Sequence, residues 1–314
     1  MDGLEHILAA QDGIITRQQA LAAITPSRLE RLLGRRWRVI LPGIYAAQTG
    51  PLTPKQKARV ALLYGGEHAQ LDDLSSLTRH GLRYLPSDER EFILIPADQK
   101  RQSREFVVVR RTFYLPKPLL APGRMPVTPL SRALTDFALR HENERQVRAV
   151  LMSSVQKRKV SVSELDAEVA TAPSHGLKRY LRVLDELHAG VRSVGEGDVR
   201  RLCARSKILP TPLFNPLLQL PDGRKISPDL LLEEAALVHE TNGREPHYEE
   251  EDAFDSMQER HDAMTTAGLT ALHNSPRLIA TTGPRILREL ETIYLRDRGR
   301  GLPPGVVILR RSAQ

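Results

Sequence analysis

Apolar residues in the first fifty positions change from helical to extended spacing. Residues 4–10 show the spacing of one helix face, and Thr16 and Thr25 are placed to cap two further helices. Two β-rich runs, 37–41 and 44–47, then flank a Pro-Gly dipeptide that favours a turn. Three short helices followed by a two-stranded ribbon predict a winged helix-turn-helix.

From residue 54 to about 190 the pattern mixes helices with short strands. Helical spacing predicts helices over 54–64, 73–80, 129–140, 144–157, 161–170 and 175–188, with strands over 92–95 and 106–110. Residues 100–160 carry fourteen Lys and Arg against four Asp and Glu. This excess could extend a DNA-binding surface, form a solvated face or dock an acidic partner, and the sequence leaves all three open.

After Gly190 short strands become more frequent. The pattern predicts helices over 195–206, 247–267 and 284–296, and strands over 217–220, 229–232, 236–240 and 269–273. Asp222-Gly223 predicts a hairpin between the first two strands. The chain from Gly299 onward is expected to be loose except for 306–309.

Together these patterns predict an α+β protein. The predicted segments are a winged helix-turn-helix (1–50), a basic mixed α/β middle domain (51–190), a C-terminal α/β domain (191–298) and a tail (299–314).

Composition narrows the class of protein. The 314 residues carry a formal net charge of +8, which suits a polyanionic partner without requiring one. Cys203 is the sole cysteine, so neither an internal disulfide nor a cysteine-rich zinc site can form. The N-terminus lacks a secretory signal pattern, and no apolar run is long enough to span a bilayer. We therefore expect a cytoplasmic protein with no membrane partner.

Arginines concentrate in the third predicted helix and the ribbon that follows. Residues 25–50 contain five arginines and one acid, Glu30. Guanidinium groups bind both phosphates and guanine edges, so double-stranded DNA is the favoured partner over a merely solvated arginine face. The candidate DNA-binding residues are Ser27, Arg28, Arg31, Arg35, Arg36 and Arg38.

Three stretches carry a resemblance to a known family. Residues 34–45 (GRRWRVILPGIY), 78–83 (TRHGLR) and 127–136 (VTPLSRALTD) resemble AbiEi-type antitoxins of type IV toxin–antitoxin systems. That resemblance implies a winged helix that binds its own promoter, with no cofactor needed. It also implies a following domain that assists repression and counters a nucleotidyltransferase-like toxin.

Three carboxylates in the C-terminal half form a second candidate site. Glu196 lies on a predicted helix, Asp229 begins a predicted strand and Glu240 ends the next one. Acids at strand ends can converge on Mg²⁺, with Asp229 and Glu240 as the metal ligands. The layout, with the run at 240–247, resembles the PD-(D/E)xK restriction-endonuclease fold in the variant of very-short-patch repair nucleases.

One departure from that nuclease pattern weakens the enzymatic interpretation. Asn242 stands where the pattern has Lys or an acid, and an amide can neither act as a general base nor supply positive charge. Two interpretations remain: a Mg²⁺-dependent endonuclease with His247 as proton carrier or ligand, or a nuclease-like scaffold without activity. We favour the second. His239, His261 and His273 lack the spacing of zinc ligands and are expected to be structural or surface residues.

Overall fold

Helices and short strands are interspersed along the chain. The structure is a computed structural model that describes residues 3–83, 85–241 and 250–310, with side chains described from residue 258 onward in the last range. The strands form several small sheets among the helices, which confirms the predicted α+β class. The chain divides into unit 1 (1–150 and 159–180) and unit 2 (151–158 and 181–314).

Unit 1 begins with three helices and three strands. They are α1 (Gly3–Ala10), β1 (Ile14–Thr16), α2 (Arg17–Ala23), α3 (Pro26–Leu32), β2 (Arg38–Leu41) and β3 (Ile44–Ala46). The strands form an antiparallel sheet in the order β1-β3-β2. The three predicted helices and two predicted strands are confirmed. β1 was not predicted, because three residues are too few to show an alternating pattern.

Side-chain caps set the start of both α2 and α3. Thr16 Oγ1 accepts a hydrogen bond from the Gln19 backbone N–H at 3.1 Å, and Gln19 Oε1 accepts one from the Thr16 backbone N–H at 3.0 Å. Thr25 caps α3, and Pro26 occupies its first position, where no N–H is needed. This segment has a buried core of its own, made of Leu4, Ile15, Ala20, Ile24, Leu29, Trp37 and Tyr45.

The described residues between 54 and 188 form six helices and five strands. These are α4 (Pro54–Gly65), β4 (Gln70–Leu71), α5 (Asp73–Arg79), β5 (Glu91–Pro96), β6 (Val107–Thr112), β7 (Leu119–Ala121), β8 (Met125–Val127), α6 (Leu130–Arg140), α7 (Glu144–Gln156), α8 (Val162–Val169) and α9 (Leu177–His188). The sheet order is β6-β5-β4-β8-β7. The six helices match the predicted ones, but β4, β7 and β8 are too short to have been predicted.

The N-terminal sheet shares a core with the rest of unit 1. Ile14 and Ile44 pack in one buried cluster with Val60 of α4 and Ile93 of β5. At the rim, the Asp12 carboxylate accepts from Lys55 at 2.6 Å and from Arg59 at 3.3 Å. The segment that carries the candidate arginines is therefore fixed to α4 by both apolar packing and ion pairs.

The described residues of unit 2 form two small sheets and three further helices. Its elements are α10 (Val194–Cys203), β9 (Leu213–Phe214), β10 (Leu217–Gln219), β11 (Lys225–Ile226), β12 (Leu230–Leu232), a 3-10 turn (Glu233–Ala235), β13 (Leu237–Thr241), α11 (Glu250–Thr266), β14 (Thr270–Asn274), α12 (Pro276–Asp297) and β15 (Val307–Arg310). One sheet has the order β14-β13-β12-β9, and the other has the order β11-β10-β15.

The predicted hairpin partner of β10 was wrong. The turn at Asp222-Gly223 joins β10 to β11, with Leu218 opposite Ile226. β12 instead pairs with β9 and β13 in the other sheet. β11 has only two residues, so its pattern was hidden between two stronger runs.

Two expectations near the C-terminus also need correction. The last helix begins at Pro276 and not at residue 284, because Ser275 caps it and Pro284 only kinks it, leaving Thr282 with non-helical angles. Residues 299–301 were expected to be loose but are held by hydrogen bonds, because the Gly299 and Gly301 N–H groups both donate to the Glu234 carbonyl. The ordered segment expected over 306–309 is present as β15, which pairs with β10. None of the helices in the described ranges is both long and apolar enough to cross a bilayer.

Candidate functional site

An arginine surface lies on α3 and the turn that follows it. Arg28, Arg31, Arg35 and Arg36, which define this surface, are all exposed, as is Ser27. Beneath them Leu29 and Trp37 are buried in the local core. Because these apolar side chains face the core, the arginines of the same segment face outward.

No carboxylate among the described residues neutralises the guanidinium groups of the arginine surface. Arg31 Nε donates to the Ser27 carbonyl at 3.3 Å, a bond that does not neutralise the guanidinium. Within the described residues, none of the four arginines forms an ion pair. Arg38, at the start of β2, is half-buried, and its Nε finds no partner in the part of the chain that the structure describes. The surface therefore presents uncompensated positive charge to an external anion.

A different charged group is buried inside unit 1. Asp136 accepts hydrogen bonds from Arg110 and from Arg132, the latter at 2.7 Å. Asp72 is fully buried and accepts from the Thr128 hydroxyl at 3.1 Å. Burial, together with the neighbouring Asp136 carboxylate, raises the pKa of Asp72 well above its usual value. The sequence did not predict this group, because Asp72, Arg110 and Asp136 are far apart along the chain and meet only in the folded structure.

Of the three candidate carboxylates of unit 2, Glu196 and Glu240 are buried and Asp229 is half-buried, and all three accept hydrogen bonds. Glu196 Oε2 accepts from the Arg192 N–H at 2.9 Å and from Asn215 Nδ2 at 2.6 Å. Asp229 Oδ2 accepts from the Thr241 N–H at 2.6 Å. The Glu240 carboxylate accepts from Arg260 at 2.9 Å. Glu196 lies on α10 and Glu240 in β13, as predicted, whereas Asp229 directly precedes β12.

The charge of Asp229 contributes to the raised pKa values of Glu196 and Glu240. Burial and then the charge of Asp229 raise the pKa of Glu196 to about 7. The same two causes, in the same order, raise the pKa of Glu240 to about 7, while burial raises the pKa of Asp229 itself. Carboxyls with pKa values near neutrality are unusual and often mark sites of function.

Several buried polar atoms near the three carboxylates lack a hydrogen-bond partner among the described residues. The hydroxyl groups of Ser227 and Thr241 and the Nε of Arg260 are buried without a hydrogen-bond partner among the described residues. In the same ranges, however, no group of three or more His, Cys, Asp and Glu side chains could hold a metal ion. The arrangement does not by itself form a metal site, so Asp229 and Glu240 as ligands remain a prediction.

Two predicted site residues cannot be placed, and one pair of histidines meets that the sequence did not predict to meet. Asn242 and His247 lie outside the described residues. His261 Nδ1 and His273 Nε2 are 2.7 Å apart, and His273 lies opposite Glu240 in the β13–β14 ladder. This histidine pair joins α11 to the edge strand of the sheet. A separation of twelve residues gave no sequence signal that the two would meet.

No family model matches the chain, and no curated protein matches it in sequence.

Proposed function

We propose that this protein binds double-stranded DNA through the arginine surface and acts as a transcriptional regulator. The observation that carries the proposal is the set of four exposed guanidinium groups without ion-pair partners among the described residues. The order helix-strand-helix-helix-strand-strand, with its β1-β3-β2 sheet, is consistent with a winged helix and supports the proposal.

Arginine chemistry suits both parts of DNA recognition. Guanidinium groups neutralise phosphates and release counterions, which supplies salt-dependent affinity. They also pair with the O6 and N7 atoms of guanine in the major groove, which supplies specificity. Neither contact needs a cofactor. The resemblance to AbiEi-type antitoxins extends the proposal to repression of the protein's own operon and to opposition of a nucleotidyltransferase-like toxin.

A double substitution, Arg28→Ala with Arg31→Ala, tests the assignment of the surface. The probes are a duplex from upstream of the protein's own coding sequence and a random duplex of equal length. We expect duplex affinity to fall by roughly tenfold to a thousandfold, and the slope of log K against log salt to shrink by about two. Gel-shift titrations at several salt concentrations measure both.

Arg277→Ala with Arg288→Ala is the matched control. Both arginines are exposed on α12 in unit 2, so this variant removes the same charge elsewhere. It should keep most of the wild-type affinity. Equal losses in the two variants would mean that net charge alone drives binding, and no loss in the first would reject the arginine surface.

As a second candidate we propose metal-dependent DNA cleavage in unit 2. The specific observation in its favour is the cluster of Glu196, Asp229 and Glu240, in which each carboxyl group has a raised pKa. Plasmid incubated with Mg²⁺ or Mn²⁺ should be nicked by the wild type and not by Asp229→Asn. A wild type that leaves plasmid intact in both metals rejects this candidate and leaves the DNA-binding proposal untouched.

A further inference from the structure

The connection between β6 and β7 displays large apolar side chains to solvent. Phe113 is 91% exposed and Tyr114 is 63% exposed, and Leu119 and Leu120 are exposed farther along. We name residues 112–120 the aromatic loop. An exposed phenylalanine beside an exposed tyrosine is unfavourable in an isolated chain and is typical of a binding surface.

Buried side chains hold the backbone of the aromatic loop in place. Arg132, itself paired with Asp136, donates to the Tyr114 carbonyl at 3.0 Å. Gln70 Nε2 donates to the Pro116 carbonyl at 2.7 Å. Arg132 and Gln70 are both buried, so the two rings stand outward on an anchored backbone. Such pre-organisation lowers the entropic cost of binding a partner.

The sequence that contains the aromatic loop is rich in basic residues, two of which, Arg110 and Arg132, pair with Asp136. Residues 106–135 contain five Lys and Arg and no Asp or Glu. Three of these cations, Arg111, Lys117 and Arg124, are exposed. A partner for this surface must therefore combine negative charge with flat apolar groups.

We propose that the aromatic loop binds single-stranded nucleic acid. Phe113 and Tyr114 stack on two successive bases, and Arg111, Lys117 and Arg124 neutralise the phosphates. A single strand offers both base faces and phosphates, whereas a duplex hides its base faces and would have to be unstacked. The inference rests on the proposed function only in taking nucleic acid as the partner, because the arginine surface and the aromatic loop are separate binding surfaces.

The test uses the full chain and a fluorescent oligothymidylate of about 20 nucleotides. Phe113→Ala with Tyr114→Ala should weaken oligothymidylate binding by roughly tenfold or more, since each stacked base contributes measurably. Phe113→Trp should keep wild-type affinity, because indole stacks at least as well. Its emission, read against the Trp37 background of the wild type, should also be quenched by the oligonucleotide. Unchanged thermal unfolding of both variants establishes that the fold is intact.

The Arg28→Ala/Arg31→Ala variant separates this inference from the DNA-binding proposal. It should lose duplex affinity and keep oligothymidylate affinity, while the loop variant should show the larger loss on the single strand. Oligothymidylate affinity that is equal in wild type and the Phe113/Tyr114 variant overturns the inference. So does a wild type that ignores the single strand but self-associates through these rings, as shown by dimers that the variant abolishes in sedimentation.

Discussion

Asp72 is a fully buried carboxyl group beside a second buried acid, Asp136. Its raised pKa means that the folded protein holds a proton that the unfolded chain releases at a lower pH. Between the unfolded pKa and the raised folded pKa, the native state therefore binds more protons. The contribution of Asp72 to stability is consequently present at low pH and is lost as the pH rises through this window.

Replacing Asp72 with Asn removes the loss of stability that accompanies ionisation of Asp72 as the pH rises. The neutral amide should make the protein more stable relative to wild type at pH 8 than at pH 5, as measured by urea unfolding at the two pH values. Asp88→Asn is the control, because the Arg90 side chain lowers the pKa of Asp88 and its carboxylate is ionised throughout this range. A difference in stability between Asp72→Asn and wild type that is the same at both pH values would contradict the raised pKa of Asp72.

Turns between elements show where backbone geometry constrains the sequence. Gly176 precedes α9 with a φ of +75°, and a Cβ there would lie 2.4 Å from the Leu139 carbonyl oxygen. Gly81 follows α5 with a φ of +71°, and a Cβ there would meet nothing within 4 Å. Both positions favour glycine, but only Gly176 is also confined by neighbouring backbone.

Alanine substitutions at these two glycines should therefore differ in cost. Gly81→Ala should lower the free energy of unfolding by about 1 kcal/mol, the cost of the left-handed backbone. Gly176→Ala should lower it by at least about 2 kcal/mol, because the Leu139 backbone must also move. Denaturant unfolding of both variants measures the difference. Equal losses would mean that the close approach at Gly176 relaxes freely.

The length of an element decided whether the sequence could predict it. Capped helices such as α2, α3 and α4 were predicted, because threonine caps and apolar spacing are local signals. Two-residue strands such as β4 and β11 were missed, because they are too short to show a pattern and are defined by pairing with another strand. Pro284 was read as a helix start although the surrounding helix continues across it with a kink.

The candidate sites also differ in whether local sequence or tertiary packing defines them. The arginine surface was predicted, because outward arginines alternate with inward leucines inside one short segment. The convergence of Glu196, Asp229 and Glu240 was inferred from strand ends. By contrast, the His261–His273 pair and the Asp72–Asp136 group depend on tertiary packing between separate elements, for which periodicity gives no signal.

Charge is unevenly distributed over the molecule as a whole. The net charge of +8 combines a strongly basic stretch at 100–160 with an acidic one at 240–262, which has nine acids and two arginines. An acidic segment next to a cleavage site would repel phosphates unless cations offset it. This distribution favours DNA contact through unit 1 over DNA cleavage by unit 2.

Mapping arginines that duplex DNA shields from a guanidinium-specific reagent tests the central claim most directly. Phenylglyoxal modification, followed by peptide mass spectrometry, reports each arginine with and without the upstream duplex. We predict protection of Arg28, Arg31, Arg35 and Arg36, with Arg277 and Arg288 modified equally in both samples. Full modification of those four arginines in the presence of saturating bound duplex would contradict the account.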